Sequence, residues 1–143
     1  MGFREGFDIS FSGMKADLTQ IEVASSNLAN SLVTRTADGG PYRRRVSVLK
    51  ENPISFQNVL DKAEMRISGG GVYVSEIQKD TSPYQRVYKP GHPDADAEGF
   101  VNFPNVRHSE EVVDLLTYSR HYEANLTAYN TIKRMAQDTL QIQ

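Results

Sequence analysis

The chain contains no cysteine. Disulfides, thiolate metal sites and a cysteine nucleophile are therefore excluded. A cysteine-free chain is compatible with an oxidising compartment but does not by itself indicate one. Long apolar runs are also missing: none approaches the roughly 18 residues of a membrane-spanning helix. The start, "MGFREGFDISF", has no basic region followed by an apolar block, so no cleavable secretory signal is visible. Gly6 stands where N-myristoylation requires Ser or Thr. Charge of one sign is scarce as well. A formal net charge of −2 does not favour nucleic acid or an anionic membrane. By these rules alone the expectation is a soluble, cytoplasmic chain. A hydrophobic share of 38% with 24% charged residues suits an ordered chain, leaner in apolar material than an average globular domain. Its 143 residues suit one compact domain, or a small core with long appendages.

Proline is missing from both ends. All 6 prolines, and most of the 10 glycines, lie within residues 33–107. The chain divides accordingly into 1–32, an N-terminal helix; 33–107, a small β-rich middle domain with loops; and 108–143, a C-terminal helix. The expected fold is mainly α with a small β-rich insertion. Residues 5–31 carry Phe11, Met14, Leu18, Ile21, Ser25 and Leu28 at spacings 3, 4, 3, 4, 3, a heptad seam with one polar member. Gly13 costs about 1 kcal/mol relative to Ala inside a helix, which makes sense if another chain approaches closely there.

Residues 109–142 read as a longer helix. Ser109 is the expected N-cap, and Glu110, Glu111 and Asp114 sit in the first turns, where the helix dipole favours anions. Val112, Leu115, Ser119, Tyr122, Leu126, Tyr129, Lys133, Ala136 and Leu140 again alternate by 3 and 4. At Lys133 the stripe drifts toward Ile132 and Met135, as an α-helix drifts against a strict heptad. At about 1.5 Å per residue this helix is roughly 50 Å long. Between the helices, "TADGGPYRRRVSVLKENP" reads as a turn and a strand, and "GGGVYVSEIQKD" as a second strand. "YQRVYKPGHPDADAEGFVNFP" gives two extended pieces around an acidic loop.

Each long helix thus has a narrow seam, and the middle is too small to cover both. Two arrangements stand open. In the plainer one the helices pack within an ordinary monomer. In the other, neighbouring subunits complete the seams and the helices form an intermolecular coiled-coil-like layer. A two-helix hairpin buries only one face of each helix. Burying a large apolar side chain stabilises by about 1.5–3 kcal/mol, and ordering a residue costs a comparable amount.

Chemical motifs are nearly absent. "SGGGV" lacks the Lys-Ser/Thr pair of a P-loop. His92, Asp94, Asp96 and Glu98 resemble the start of a Ca²⁺ loop, but the position of the closing bidentate Glu holds Asn105, which favours a solvated turn. Arg43, Arg44 and Arg45 alternate faces in a strand and form no single patch; a subunit-contact or solvated role is expected for them. No catalytic residue, cofactor or metal is expected. Asn27 and Asn30 admit two roles. They can end the first helix, through left-handed geometry and side chains that satisfy orphan backbone groups, or bond to adjacent subunits.

These asparagines belong to "ASSNLAN", which resembles the Ser-x-Asn-Leu-Ala-Asn signature of the bacterial flagellar axial proteins: rod, hook and hook-associated components. "GVYVSEIQKDTSPYQRVYKPGHPDADAEGFVNFPNV" resembles the proximal-rod members in particular, and "EEVVDLLTYSRHYEANLTAYNTIKRMAQDTL" is similar to the family's C-terminal helix. The resemblance implies a non-enzymatic structural subunit of the basal-body rod, a hollow drive shaft that transmits torque and passes exported subunits. It implies export without a cleaved signal and assembly in the periplasm, which reverses the cytoplasmic expectation. Partners would be other rod proteins, copies of the same chain in a helical assembly, and the protein joining rod to export gate and basal-body ring. No nucleic acid and no membrane span enter. The expected interface is Phe11, Met14, Leu18, Ile21, Leu28, Asn27 and Asn30 on the first helix, and Val112, Leu115, Tyr122, Leu126, Tyr129 and Leu140 on the second. Another short axial protein, or a soluble helical adaptor of the export system, is the alternative.

Overall fold

A computed structural model describes residues 3–37, 39–52 and 70–141. Helix α1 runs over Phe3–Ala29. Side chains set its end. Asn30 Nδ2 donates to the Ser26 carbonyl at 2.7 Å, and the Ser31 hydroxyl donates to the Leu28 carbonyl at 2.8 Å. Both satisfy acceptors that a helix terminus leaves unpaired. Among the described residues only glycines have positive φ, so Asn30 closes the helix without the left-handed turn expected of it.

Among the described residues two small antiparallel ribbons follow. Strands β1 (Arg45–Glu51) and β2 (Val72–Lys79) pair from Arg45↔Lys79 to Glu51↔Val72, with a bulge between Val48 and Leu49. Strands β3 (Gln85–Tyr88) and β4 (Phe100–Phe103) pair from Gln85↔Phe103 to Tyr88↔Phe100. The acidic loop between them is a folded turn. Asp96 accepts from the N–H groups of Glu98 (3.0 Å) and Phe100 (2.8 Å), while Gly99, at φ 82°, supplies the left-handed residue the reversal needs.

Helix α2 (His108–Gln141) returns antiparallel to α1 and packs along it, while β1 and β2 lie against α1. It begins one residue before the expected cap. Arg107 takes the cap position, its carbonyl accepting from the Glu111 N–H, and Ser109 falls inside the first turn. The buried apolar side chains are few: Met14, Ala16 and Ala24 on α1, with Tyr42, Val101 and Val106 from the middle. The helices therefore lean on one long shared seam, and no large core stands behind them among the described residues. The predicted architecture, mainly helical with a small β insertion, is the one observed.

Candidate assembly interface

The seam between the helices uses a stripe that counting large apolar residues does not reveal. Gly6, Ser10, Gly13, Asp17, Ala24 and Asn27 lie on one face of α1 and are small or polar. A methyl group on Gly6 would sit 2.8 Å from Ile132 Cδ1, and one on Gly13 would sit 2.7 Å from Asn125 Nδ2. Gly13 is therefore a site of close approach, as its composition suggested, and the approaching helix belongs to the same chain. Asn125 Nδ2 donates to the buried Asp17 carboxylate at 2.9 Å, and Phe7 meets Tyr129 edge-on at 4.8 Å between ring centroids. Small residues on α1 make room for the larger Tyr129 and Ile132 of α2.

Where α1 ends and α2 begins, a polar junction ties three distant segments together. Asn27 is 1% exposed. Its amide nitrogen donates to the Arg45 carbonyl (2.8 Å) and to Glu111 Oε2 (3.0 Å); its oxygen accepts from the Arg45 N–H (2.9 Å) and the Tyr42 hydroxyl (3.0 Å). An amide side chain offers two donors and two acceptor sites, and all four are occupied. Glu111, also 1% exposed, takes a charge-assisted bond from Arg44 Nε, whose Nη2 reaches Asp114 at 3.2 Å. Burial opposes the Arg44 charge, but the bond to Glu111 and the attraction of Glu111, Asp114 and Asp80 prevail, so its pKa is raised. Burial, reinforced by Asp114, likewise raises the Tyr118 hydroxyl. No buried side-chain nitrogen or oxygen among the described residues lacks a partner.

This junction revises two expectations. Arg44 is an internal anchor, not the subunit-contact or solvated residue expected from the sequence. Arg43 is different again: its guanidinium donates to the Asp80 and Ser82 carbonyls and lies over the Tyr84 ring. Glu111 is more than a dipole partner; it is the buried acid that α2 offers to α1 and β1. The acids of the His92–Glu98 loop hold protein groups. Asp94 accepts from the Thr34 hydroxyl at 2.8 Å, and Asp96 and Glu98 share Arg86. Among the described residues no cluster of three or more His, Asp or Glu is placed to hold a metal.

The residues expected at a subunit interface fall into two groups. Met14 and Asn27 are buried within the chain; Ile21, Leu28, Asn30, Leu115, Tyr122 and Tyr129 are half-buried. Phe11, Leu18, Val112, Leu126 and Leu140 are exposed, Phe11 at 56% and Leu140 at 75%. Val113, Leu116 and Met135 are exposed as well. The helix pair closes where small and polar residues of α1 meet Tyr129, Ile132 and Asn125 of α2, and it leaves several other large apolar side chains outside. No helix is long and apolar enough to cross a membrane among the described residues.

A family model described as "Flagellar basal body rod FlgEFG protein C-terminal" matches residues 97–142, the segment containing β4 and α2. The chain is 42% identical to the flagellar basal-body rod protein FlgC of Bacillus subtilis, over 94% of each chain. It is 39% identical to FlgC of Borreliella burgdorferi, over 99% of this chain and 98% of that one. Against FlgC of Salmonella typhimurium the identity is 37%, over 94% and 92%.

Proposed function

The chain belongs to the flagellar basal-body rod protein FlgC family and is a structural subunit of the rod; from that premise we propose that the outward faces of α1 and α2 are the surfaces through which it assembles. The carrying observation is the division of labour just described. Several large apolar side chains, Phe11, Val113, Leu116, Met135 and Leu140 among them, stay exposed on a helix pair whose seam sets small and polar residues of α1 against Tyr129 and Ile132 of α2. Copies of this chain and other rod proteins supply the cover. The terminal helices form the inner layer of a hollow shaft that transmits torque and passes exported subunits, and the ribbons lie outside. The subunit reaches the periplasm through the flagellar export apparatus without a cleaved signal. Its neighbours include the protein joining the rod to the export gate and ring.

Leu126→Asp tests this reading. Leu126 is exposed in the single chain, so the variant should keep its circular dichroism spectrum. In the assembled wall the introduced charge would be buried without a partner, at a cost of several kcal/mol. Basal bodies isolated from cells carrying only the variant should lack the chain, and the cells should not swim. Normal motility would contradict the proposal.

A further inference from the structure

The glycine run that lacks a P-loop's Lys-Ser/Thr pair has another role in the fold. Gly70 and Gly71 lead into β2 with φ of 108° and 98°, a backbone that side chains disfavour. Both run close against α1. A methyl group on Gly70 would sit 3.6 Å from Ile9 Cδ1, and one on Gly71 would collide with the Ser12 hydroxyl, 3.1 Å from Ser12 Cβ. The ribbon backbone reaches the helix because no side chain stands at Gly71. The approach completes a relay. The Val72 N–H donates to Ser12 Oγ at 3.2 Å, and the Ser12 hydroxyl donates to the Ile9 carbonyl at 2.7 Å. A bond from serine back to its own helix is ordinary; the second bond, from the first residue of β2, joins two elements through one side chain.

The other end of the ribbon is fastened in a similar manner. The Asn27 amide bonds to both backbone groups of Arg45, the first residue of β1, as a neighbouring strand would. Arg45 and Val72 mark opposite ends of the ribbon, since the pairing runs from Arg45↔Lys79 to Glu51↔Val72. The distances match. From Ser12 to Asn27 the helix rises about 22 Å, and from Arg45 to Glu51 the strand extends about 20 Å. The ribbon therefore lies along α1 and is held at both ends. One attachment would let it swing about that point; two, a ribbon's length apart, remove that freedom.

Resting on the rod-subunit reading, we propose that Ser12, Gly70 and Gly71 form a clip which, together with Asn27, makes the β1–β2 ribbon and α1 one rigid lever, and that in the rod this lever passes load from the ribbon to the helix. Ser12 and Gly71 act by positioning: one supplies the hydroxyl, the other the room for it.

The purified full-length chain tests the clip, and swimming cells test the load. Ser12→Ala removes the relay from the helix side and leaves the rest of α1 intact. Gly71→Ala attacks it from the ribbon side. In hydrogen exchange the Val72 amide should open about three- to tenfold faster in Ser12→Ala, the equilibrium factor of one ordinary hydrogen bond. In Gly71→Ala the Asn52 amide should speed up too, because it donates to the Gly71 carbonyl. The Arg45 amide, at the Asn27 end, should exchange as in the wild type in both. Thr19→Ala is the control: its hydroxyl bonds to the Lys15 carbonyl of the same helix, and its loss should leave Val72 unchanged. Cells carrying only Ser12→Ala should swim like the wild type in thin medium and fall behind it in viscous medium, where each turn bears more load. Val72 exchange unchanged by Ser12→Ala overturns the clip. Faster exchange with wild-type swimming at every viscosity overturns the passage of load. Basal bodies from wild-type cells judge the rod reading separately: a chain missing from them refutes that reading, while exchange in the purified chain still decides the clip.

Discussion

Replacing Asn27 with Asp changes one atom of the junction's central side chain and should break it. The amide nitrogen that donates to Glu111 Oε2 at 3.0 Å and to the Arg45 carbonyl at 2.8 Å becomes a carboxylate oxygen. Two donor bonds are lost, and two carboxylates face each other in a site 1% exposed at both residues. At an effective dielectric near 20, the repulsion is roughly 4–6 kcal/mol for charge centres about 3–4 Å apart. Arg44 offsets part of it. Proton uptake sets the ceiling, because holding a carboxyl of ordinary pKa near 4 protonated at pH 7 costs about 4 kcal/mol. A net loss of about 3–4 kcal/mol is expected, a large share of a typical domain's 5–15 kcal/mol. Asn27→Ala is the reference. It takes a partner from Glu111 Oε2 and from the Tyr42 hydroxyl, but the cavity beside the junction, about 20 Å³, already has room for about one water, and truncation widens it. Alanine also gains a few tenths of a kcal/mol of helix propensity. Its cost should therefore stay near 1–3 kcal/mol. Urea unfolding of both purified variants, followed by circular dichroism, measures the gap. The gap should narrow as pH falls toward 4, where the introduced carboxyl binds a proton and donates again. An aspartate variant as stable at pH 7 as the alanine variant would refute the role given to this network.

The seam and the β3–β4 ribbon offer further tests. Gly13→Ala should destabilise the chain by about 1 kcal/mol despite better helix propensity, since the methyl group displaces Asn125 and breaks its bond to buried Asp17; a higher urea midpoint than wild type would count against that packing. Glu111→Gln removes the buried charge that Arg44 faces and should cost about 1–3 kcal/mol, with faster amide exchange at Tyr42–Arg45 and in the first turn of α2; unchanged exchange at both would count against the coupling. Backbone bonds from Phe100 chiefly, with Arg86 and the Glu98 N–H, hold the Asp96 carboxyl below its ordinary pKa. A depressed acid stabilises the fold above its unfolded value near 4, and that contribution is lost as pH falls through the folded value. Exchange of the Phe100 amide should therefore accelerate in that acid window relative to Val101, and an Asp96→Asn variant should abolish the pH dependence. Ser82, through its hydroxyl and N–H, lowers Asp80 in the same way, so the start of the β2–β3 connection should loosen over the same range.

The amino-acid sequence determined the elements and their order, because helix and strand are local matters of periodicity and punctuation. Proline-free heptad spacing placed α1 and α2 to within a few residues, and Gly and Pro between them bounded four short strands. The sequence also showed apolar side chains in excess of what the middle could cover. Tertiary structure alone decided which face of each helix closes in cis. Two antiparallel backbones come close where one of them carries a small residue, so the pairing stripe includes Gly6, Ser10, Gly13 and Ala24, residues that a count of large hydrophobic positions passes over. Tertiary structure alone also joined Asn27 to Glu111, 84 positions away. Each side chain had a sufficient local explanation, a helix end for one and a helix dipole for the other. A hydrogen bond between residues so far apart is a property of the folded space they share, and no spacing along the chain encodes it.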